Sequence, residues 1–336
     1  MGPADQVEGP IVAVDLGGSR IRATIADEGG RLLGRVDRTT PASRGPDAVV
    51  DALAKLIWTA LAGQPGIDDH DPARVVVAAT GPFDPQGTWI DPSNLGPAYH
   101  GFPLGRELAR RLGRPVLIGL DTHLALLGER RAGVLRGCRD AIYITVSTGV
   151  GGAFLVDDRL VVGAHGIAGE IGHLPVAASG PRCGCGGRGH LEALASGPAM
   201  AAAATSAARR GRSRPLLERL EARASAGLTG ADVTEVAATG DEAATRIVAR
   251  ARTALGRAVT GLVNIVDPTR VVLGGGVVLS DPEPWIDSCR LEVAKGALVT
   301  QKAAVEIVAA RLGDDAGLIG CLDHDRLGAR WSLPDR

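Results

Sequence analysis

Lysine and cysteine are both scarce in this chain of 336 residues. The lysines are Lys55, Lys295 and Lys302, so nearly all of the basic side chains are arginines. Because the net charge is −1, no overall field attracts nucleic acid or an acidic membrane, and we expect neither as a partner. The five cysteines are too few for a disulfide scaffold at this length, so we expect thiols or metal ligands.

Long apolar runs are absent as well. No stretch of the sequence approaches the length that crosses a bilayer, and the N-terminus lacks the basic region and apolar run of a signal peptide. These absences predict a cytoplasmic location. The chain also lacks the GxxxxGK[ST] phosphate loop, and its glycine turn at residues 149–152 leads into a strand, unlike the dinucleotide-binding fingerprint.

The pattern at the start of the chain is repeated about 130 residues later. Residues 11–36 and residues 141–162 both have the order strand, glycine turn, strand, turn and strand. The repeat and the alternation of strands and helices predict an α/β fold with two similar domains that face each other. Helices are predicted at residues 46–62, 124–132, 198–223, 241–266 and from about 315, and buried strands at residues 75–79, 116–119, 270–273 and 305–309.

A glycine-rich turn follows the first strand of each repeat. Glycines there let backbone N–H groups approach a polyphosphate, and a carboxylate at the strand end can hold a hydrated Mg²⁺ ion. The first turn alone is more typical of a tight hairpin, because glycine-rich turns are common. A nucleotide between two domains needs a loop from each, however, and the pair of turns favours phosphate binding. The candidate nucleotide ligands are Asp15, Gly17, Gly18, Ser19 and Arg20 in the first turn, Ser147, Thr148, Gly149 and Gly151 in the second, and Gly274, Gly275 and Gly276 towards the adenosine.

A third glycine-rich segment contains candidate metal ligands. Cys183, Cys185 and His190 are separated by glycines that permit tight folding. His173, ten residues before Cys183, completes a Cys₂His₂ set of the kind that binds structural zinc. The alternative is an exposed loop with two incidental thiols, which we disfavour because exposed neighbouring thiols are reactive. The sequence therefore predicts a structural zinc site.

Carboxylates at two places are candidates for chemistry at a sugar. Asp121 follows an apolar run at the carboxyl end of a predicted strand, where α/β proteins place their sites, but a helix N-cap is an equally good interpretation. Glu170 and Glu192 lie close in sequence to the candidate ligands His173 and His190. Carboxylates accept charge-assisted hydrogen bonds from hydroxyl groups, although glutamates are more often solvated loop residues.

Together these motifs resemble the ROK family, which contains bacterial sugar kinases and sugar-responsive repressors. The turns at residues 15–19 and 147–152 resemble the two phosphate loops of the family. Residues 170–173 match its ExGH sugar motif, residues 183–192 are similar to its zinc signature CxCGxxGCxE, and residues 313–317 resemble its C-terminal segment. The resemblance covers nearly the whole chain. We expect the kinase branch, because the first phosphate loop begins too early to leave room for a helix-turn-helix.

The resemblance implies an actin-like ATPase (ribonuclease H-like) fold. We expect residues 1–121 and about 315–336 to form a smaller domain and residues 122–314 a larger one. The implied activity is that of an ATP:hexose phosphotransferase acting on the 6-hydroxyl, with ATP, Mg²⁺ and structural Zn²⁺, in a homodimer or homotetramer. The implied catalytic base is Asp121, the implied sugar ligands are Asn94, Asp121, Glu170, His173 and Glu192, and the implied zinc ligands are His173, Cys183, Cys185 and His190.

Three residues depart from the family pattern. His190 stands where the family has its third zinc cysteine, and histidine is an acceptable replacement. Leu120 stands where an asparagine binds a sugar hydroxyl, and His123 replaces a second asparagine. An amino sugar such as kanosamine, N-acetylmannosamine or N-acetylglucosamine is therefore an alternative acceptor. A non-catalytic sugar-sensing regulator with the same fold is the alternative of another class.

Overall fold

The computed structural model describes residues 10–26, 31–62, 74–84, 86–90 and 95–327. No helix in these ranges is both long enough and apolar enough to span a membrane. The strands are β1 (Ile11–Leu16), β2 (Arg20–Ala26), β3 (Leu32–Thr39), β4 (Arg74–Ala79), β5 (Val116–Leu120), β6 (Ala141–Val146), β7 (Val150–Val156), β8 (Arg159–Leu160), β9 (Arg270–Gly274) and β10 (Glu306–Ala309). The helices are α1 (Pro46–Ala62), α2 (Leu104–Leu112), α3 (Asp121–Ala132), α4 (Glu192–Ala195), α5 (Gly197–Arg209), α6 (Arg214–Arg223), α7 (Gly230–Ala238), α8 (Glu242–Val266), α9 (Gly276–Leu279), α10 (Glu283–Gly296), α11 (Val299–Ala304) and α12 (Ala316–Gly320).

The chain divides into two compact units. The first unit contains residues 1–137, 159–168 and 314–336, and the second contains residues 138–158 and 169–313. The domain bounds expected from the sequence, with a boundary after Asp121, stay a prediction.

The first unit contains a mixed sheet with the strand order β3-β2-β1-β4-β5. β1 pairs antiparallel with β2 and parallel with β4, and β4 pairs parallel with β5. β1 and β4 are largely apolar and buried, as is usual for central strands of a sheet covered on both faces. The carboxyl ends of β1, β4 and β5 therefore meet at one edge, which carries Asp15 and Asp121.

Helices α3 and α12 pack closely in the first unit because small residues line their contact. A Cβ atom at Gly128 would overlap the carbonyl oxygen of Ala316, and a Cβ atom at Gly320 would overlap the carbonyl oxygen of Leu124. This approach of two backbones fixes the direction of α3, which begins at the sheet edge.

The second unit repeats this pairing pattern. Its strands run in the order β10-β9-β6-β7, with β6 antiparallel to β7 and parallel to β9, and with β9 parallel to β10. The same order describes β5-β4-β1-β2 in the first unit. The predicted α/β class and the repeated strand pattern are thus confirmed.

The continuous helix predicted at residues 198–223 is wrong, because α5 ends at Arg209 and α6 begins at Arg214. Two element boundaries near Asp121 and the second glycine turn are wrong as well. Helix α3 begins at Asp121 and not at Leu124, because the polar residues Thr122 and His123 are buried in its first turn. Strand β7 begins at Val150, inside the predicted glycine turn, because residues 150–152 already pair with β6. In both places tertiary packing overrides the local character of the residues.

Candidate active site

The first glycine turn joins β1 to β2 in the first unit. The N–H of Gly17 donates a hydrogen bond to the carbonyl of Arg20 at 3.0 Å, and Thr40 Oγ1 donates to the carbonyl of Gly17 at 2.7 Å. Gly18, Ser19 and Arg20 are exposed. The predicted phosphate ligands therefore lie on the surface of this unit, at the end of β1.

Asp15 lies beside a cation that the sequence motifs do not identify. Arg22 donates hydrogen bonds to Asp15 at 2.7 Å and to Asp314 at 2.6 Å. Burial raises the pKa of Asp15 above its usual range, and the guanidinium of Arg22 opposes that increase. Arg22 stands directly opposite Asp15 in the β1–β2 register. The hairpin predicted around the first glycine turn was therefore the signal in the sequence that pairs these two residues.

The C-terminal segment resembling the family pattern is attached to the same strands. Arg35 on β3 donates to Asp315 at 2.6 Å, next to the bond between Arg22 and Asp314. A Cβ atom at Gly317 would lie 3.4 Å from the Cβ atom of Ala78 on β4. The acidic pair of this segment is therefore held by arginines of the sheet.

Asp121 is the first residue of α3 and directly follows β5. Its Oδ1 accepts a hydrogen bond from the N–H of Thr122 at 2.7 Å, and its side chain is partly exposed. The N-cap position belongs to Leu120, so the interpretation of Asp121 as an N-cap is wrong. The partial positive charge at a helix N-terminus stabilises a carboxylate in the first turn. This placement suits the predicted base, which stays a prediction.

Leu120 and His123, the two departures beside Asp121, are both buried. The Leu120 side chain packs on Gly81, where a Cβ atom would overlap it. Nε2 of His123 lies 2.7 Å from the carbonyl oxygen of Ala168, and a carbonyl only accepts, so Nε2 carries the proton. Nδ1 is buried and has no hydrogen-bond partner among the described residues. Burial lowers the pKa of His123, which favours the neutral ring.

The second glycine turn joins β6 to β7 in the second unit and is shorter than predicted. The N–H of Ser147 donates to the carbonyl of Gly149 at 2.8 Å, and β7 begins at the next residue, Val150. Gly151 therefore lies in the strand, opposite Thr145. The turn itself consists of residues 147–149.

A pocket of about 400 Å³ in the second unit is lined by parts of two predicted nucleotide loops. Ser147 and Thr148 line it from the second turn, and Gly276 lines it from the start of α9. Its volume lies in the range of small-molecule sites. Gly275, by contrast, faces β6, because a Cβ atom there would overlap the carbonyl oxygen of Val146.

The starts of two helices complete this pocket. Gly197 and Pro198 begin α5, and Thr229 and Gly230 begin α7, and all four line the pocket. The sequence motifs did not identify them. Each pair combines a helix-start residue with a glycine, which was the available signal.

The four predicted zinc ligands come together in the second unit. The ligand atoms of His173, Cys183, Cys185 and His190 all lie within 4.8 Å of one another. Cys183 Sγ and His173 Nδ1 are 3.6 Å apart, and Cys185 Sγ and His190 Nδ1 are 3.2 Å apart. Tetrahedral zinc, with bonds of about 2.3 Å to sulfur and 2.0 Å to nitrogen, separates neighbouring ligands by about 3.5 Å. The cluster therefore fits zinc in spacing and in chemistry.

Glycines make this cluster possible. The N–H of Cys183 donates to the carbonyl of Gly187 at 2.8 Å, and Gly186 has a φ of 92°, in the region that favours glycine. A Cβ atom at Gly187 would overlap the ring of His190. The larger histidine therefore fits at the position of the family's cysteine because its neighbour has no side chain.

Glu170 lies beside the cluster, with its Oε2 3.8 Å from Nε2 of His173. His173 thus directs Nδ1 at the cluster and Nε2 at Glu170, an arrangement that fixes the ring orientation of a metal ligand. Loss of solvent raises the pKa of Glu170 although 39% of its side chain is exposed, while His173 lowers it and Glu192 raises it further. The second unit therefore gathers Glu170, His173 and Glu192, whereas Asn94 lies outside the described residues.

The sequence profile of the ROK family matches residues 11–324. The chain belongs to the ROK family. The bifunctional enzyme NanE/NanK of Brucella suis is 35% identical over 320 residues, which cover 94% of this chain and 53% of that enzyme. The chain thus spans about half the length of this relative.

Two further relatives match over nearly their whole length. The N-acetylmannosamine kinase of Citrobacter koseri is 35% identical over 313 residues, covering 92% of this chain and 96% of that kinase. A ROK family glucokinase from Streptomyces griseus, solved in complex with glucose and AMPPNP, is 31% identical with a TM-score of 0.79. That comparison covers 95% of this chain and 100% of the glucokinase chain. The family and the actin-like fold predicted from the sequence are confirmed.

Proposed function

We propose that this ROK protein is a sugar kinase that transfers the γ-phosphoryl group of ATP to the 6-hydroxyl of a hexose. The observation that carries the proposal is the pocket in the second unit, where Ser147, Thr148 and Gly276 line one cavity. Glycine backbone and hydroxyl groups donate hydrogen bonds to phosphate and ribose oxygens without bulky side chains in the way. The Streptomyces griseus glucokinase, solved with glucose and AMPPNP, supports the same assignment.

Asp121 is the general base of the proposed reaction. The oxygen of the acceptor hydroxyl forms a bond to the γ-phosphorus, and its proton passes to the carboxylate of Asp121. The bond from the γ-phosphorus to the bridging oxygen breaks, and ADP leaves with the electron pair. The hydrogen bond from Thr122 fixes the orientation of the carboxylate during this transfer.

The first glycine turn binds phosphate oxygens in this proposal. Gly18, Ser19 and Arg20 are exposed there and offer N–H groups and a guanidinium. Asp15 fits a hydrated Mg²⁺ ion, because it is a carboxylate at the strand end whose charge is supported by Arg22. When bound, Mg²⁺ neutralises charge on the phosphates.

The second unit supplies the sugar contacts. Glu170 and Glu192 accept hydrogen bonds from sugar hydroxyls, and Nε2 of His173 is oriented to take part. Zinc, held by His173, Cys183, Cys185 and His190, has a structural role and takes part in no step. It fixes the imidazole whose other nitrogen faces Glu170.

An amino sugar is the second candidate acceptor. Leu120 is buried against Gly81 and offers no hydrogen-bonding group at the position where the family pattern has a sugar-binding asparagine. The relative named N-acetylmannosamine kinase is 35% identical over 92% of this chain. A substituent at one hydroxyl of the hexose is therefore compatible with this position.

A panel of acceptors tests the proposal. ADP release is measured with Mg-ATP and glucose, mannose, fructose, glucosamine, N-acetylglucosamine, N-acetylmannosamine or kanosamine, and ³¹P NMR assigns the phosphorylated hydroxyl. We expect turnover with one sugar or a small group of sugars, and phosphate at the 6-position. Sugar binding without ADP release across the panel would contradict the kinase and favour the sugar-sensing regulator.

A further inference from the structure

Glu192 contacts the backbone that follows the second glycine turn. Its Oε2 accepts a hydrogen bond from the N–H of Val150 at 3.1 Å, and Val150 is the first residue after the turn. The end of the turn where β7 begins is therefore held by a side chain from outside the hairpin.

The same segment holds the other end of the turn. The N–H of Gly197, at the start of α5, donates to the carbonyl of Ser147 at 2.9 Å. Helix α4 begins at Glu192 and ends at Ala195, just before α5. Ser196 caps α5, because its Oγ accepts a hydrogen bond from the N–H of Ala199 at 3.2 Å. Residues 192–197 thus contact both ends of the turn through one short, capped element.

Close packing restricts the carboxylate further. A Cβ atom at Gly172 would overlap the carbonyl oxygen of Val150 and would lie 3.4 Å from the Cβ atom of Glu192. The N–H of Gly152 donates to the carbonyl of Gly169 at 2.9 Å. The sugar motif, the start of β7 and Glu192 are therefore packed against one another within the second unit.

We propose that Glu192 is a positioning residue for the second phosphate loop, in addition to its predicted contact with the sugar. By holding the N–H of Val150, its carboxylate fixes the backbone of residues 147–149 in the shape that receives the nucleotide. This inference rests on the proposed kinase function, because it assigns the loop to ATP. A residue that only bound sugar would not affect nucleotide affinity in the absence of sugar.

Three variants separate these roles. Glu192→Ala removes the acceptor for the Val150 N–H, Glu192→Gln keeps a carbonyl oxygen at that place, and Glu170→Ala removes a neighbouring carboxylate that contacts His173 instead of the turn. The first readout is hydrogen–deuterium exchange of the peptide 147–152 in the ligand-free protein. The second is the Kd for AMPPNP with Mg²⁺, measured by calorimetry without sugar.

We expect Glu192→Ala to speed exchange in this peptide and to weaken AMPPNP binding about tenfold, or about 1.4 kcal/mol. Glu192→Gln and Glu170→Ala should stay close to the wild-type protein in both readouts, with unchanged exchange in β4 as the control for folding. Wild-type exchange and wild-type Kd in Glu192→Ala would overturn the inference. If the wild-type protein binds no nucleotide, the proposed function fails, and the exchange comparison still decides whether Glu192 holds Val150.

Discussion

Arg22 donates a hydrogen bond to the carboxylate of Asp15 at 2.7 Å, and their side chains are only 16% and 17% exposed. Burial raises the pKa of Asp15, and the positive charge of Arg22 opposes this increase. The arginine therefore favours the ionised form of the carboxylate at the end of β1, where the proposed reaction needs a negative charge for Mg²⁺.

Replacing Arg22 by glutamine should move the acidic limb of the pH profile to higher pH. Burial then acts without the opposing charge, so the pKa of Asp15 rises further and a larger fraction of the side chain is protonated at each pH. The measurement is kcat/KM for Mg-ATP against pH. Arg35→Gln is the control, because Arg35 bonds Asp315 and should give a smaller shift. An acidic limb that stays in place in Arg22→Gln would contradict this role.

The contact between α3 and α12 should not tolerate a single added methyl group. Gly128→Ala forces a Cβ atom against the carbonyl oxygen of Ala316, and we expect a loss of about 1–3 kcal/mol in the free energy of unfolding. Gly261 is exposed on α8 with open space around it, so Gly261→Ala should instead stabilise the protein by about 0.5–1 kcal/mol. Thermal unfolding of both variants checks this, and changes of the same sign would contradict it.

Much of the fold could be predicted from local pattern. The helix predicted at residues 46–62 has the same bounds as α1, because its apolar spacing and early proline are both typical of a helix. The strand at residues 11–16 is also placed correctly, as a short apolar run before a glycine turn. The Cys and His spacing predicted a cluster whose ligand atoms lie together.

The remaining features depend on contacts distant in sequence. Gly152 pairs with Ile144 in β6, and Ile171 occupies the space where a side chain would lie, which no local pattern indicates. His123 is buried in α3 and bonds the carbonyl of Ala168, 45 residues away. Glu192 similarly reaches Val150 across 42 residues. Local propensity carries no information on such pairs.

His123 should make stability depend on pH. Its folded-state pKa lies below the usual value of about 6.5, so the unfolded chain binds a proton there that the folded protein excludes. The contribution of His123 to the free energy of unfolding is therefore fully present above the usual pKa of histidine. It decreases as the pH falls below that pKa. His123→Gln offers an amide donor to Ala168 and does not titrate, so its Tm should fall less between pH 7 and pH 5. Some dependence should remain from His324, whose pKa is also lowered by burial.

His123→Leu provides the matched comparison. It removes the donor to the carbonyl of Ala168, and we expect a loss of about 1–3 kcal/mol in the free energy of unfolding at pH 7. This loss should become smaller as the pH falls, because leucine does not titrate. Parallel Tm curves against pH for the wild-type protein and His123→Gln would contradict the titration of His123.

Removal of one ligand should release the metal from the cluster. Cys183→Ser replaces a thiolate by a weak ligand, and we expect the purified protein to lose its bound zinc and to unfold at a lower temperature. Metal content is measured by mass spectrometry. Cys138→Ser is the control, because Cys138 lies outside the cluster and should leave one zinc ion per chain. Equal zinc content in the two variants would contradict the assignment.

The most direct test of the kinase is the turnover of Asp121→Asn with the preferred sugar and Mg-ATP. Asparagine keeps the size of the side chain at the start of α3 but cannot accept the hydroxyl proton. We expect kcat to fall by about 10²–10⁴, while the Kd values for sugar and nucleotide change little. Wild-type turnover in Asp121→Asn would contradict the proposed mechanism.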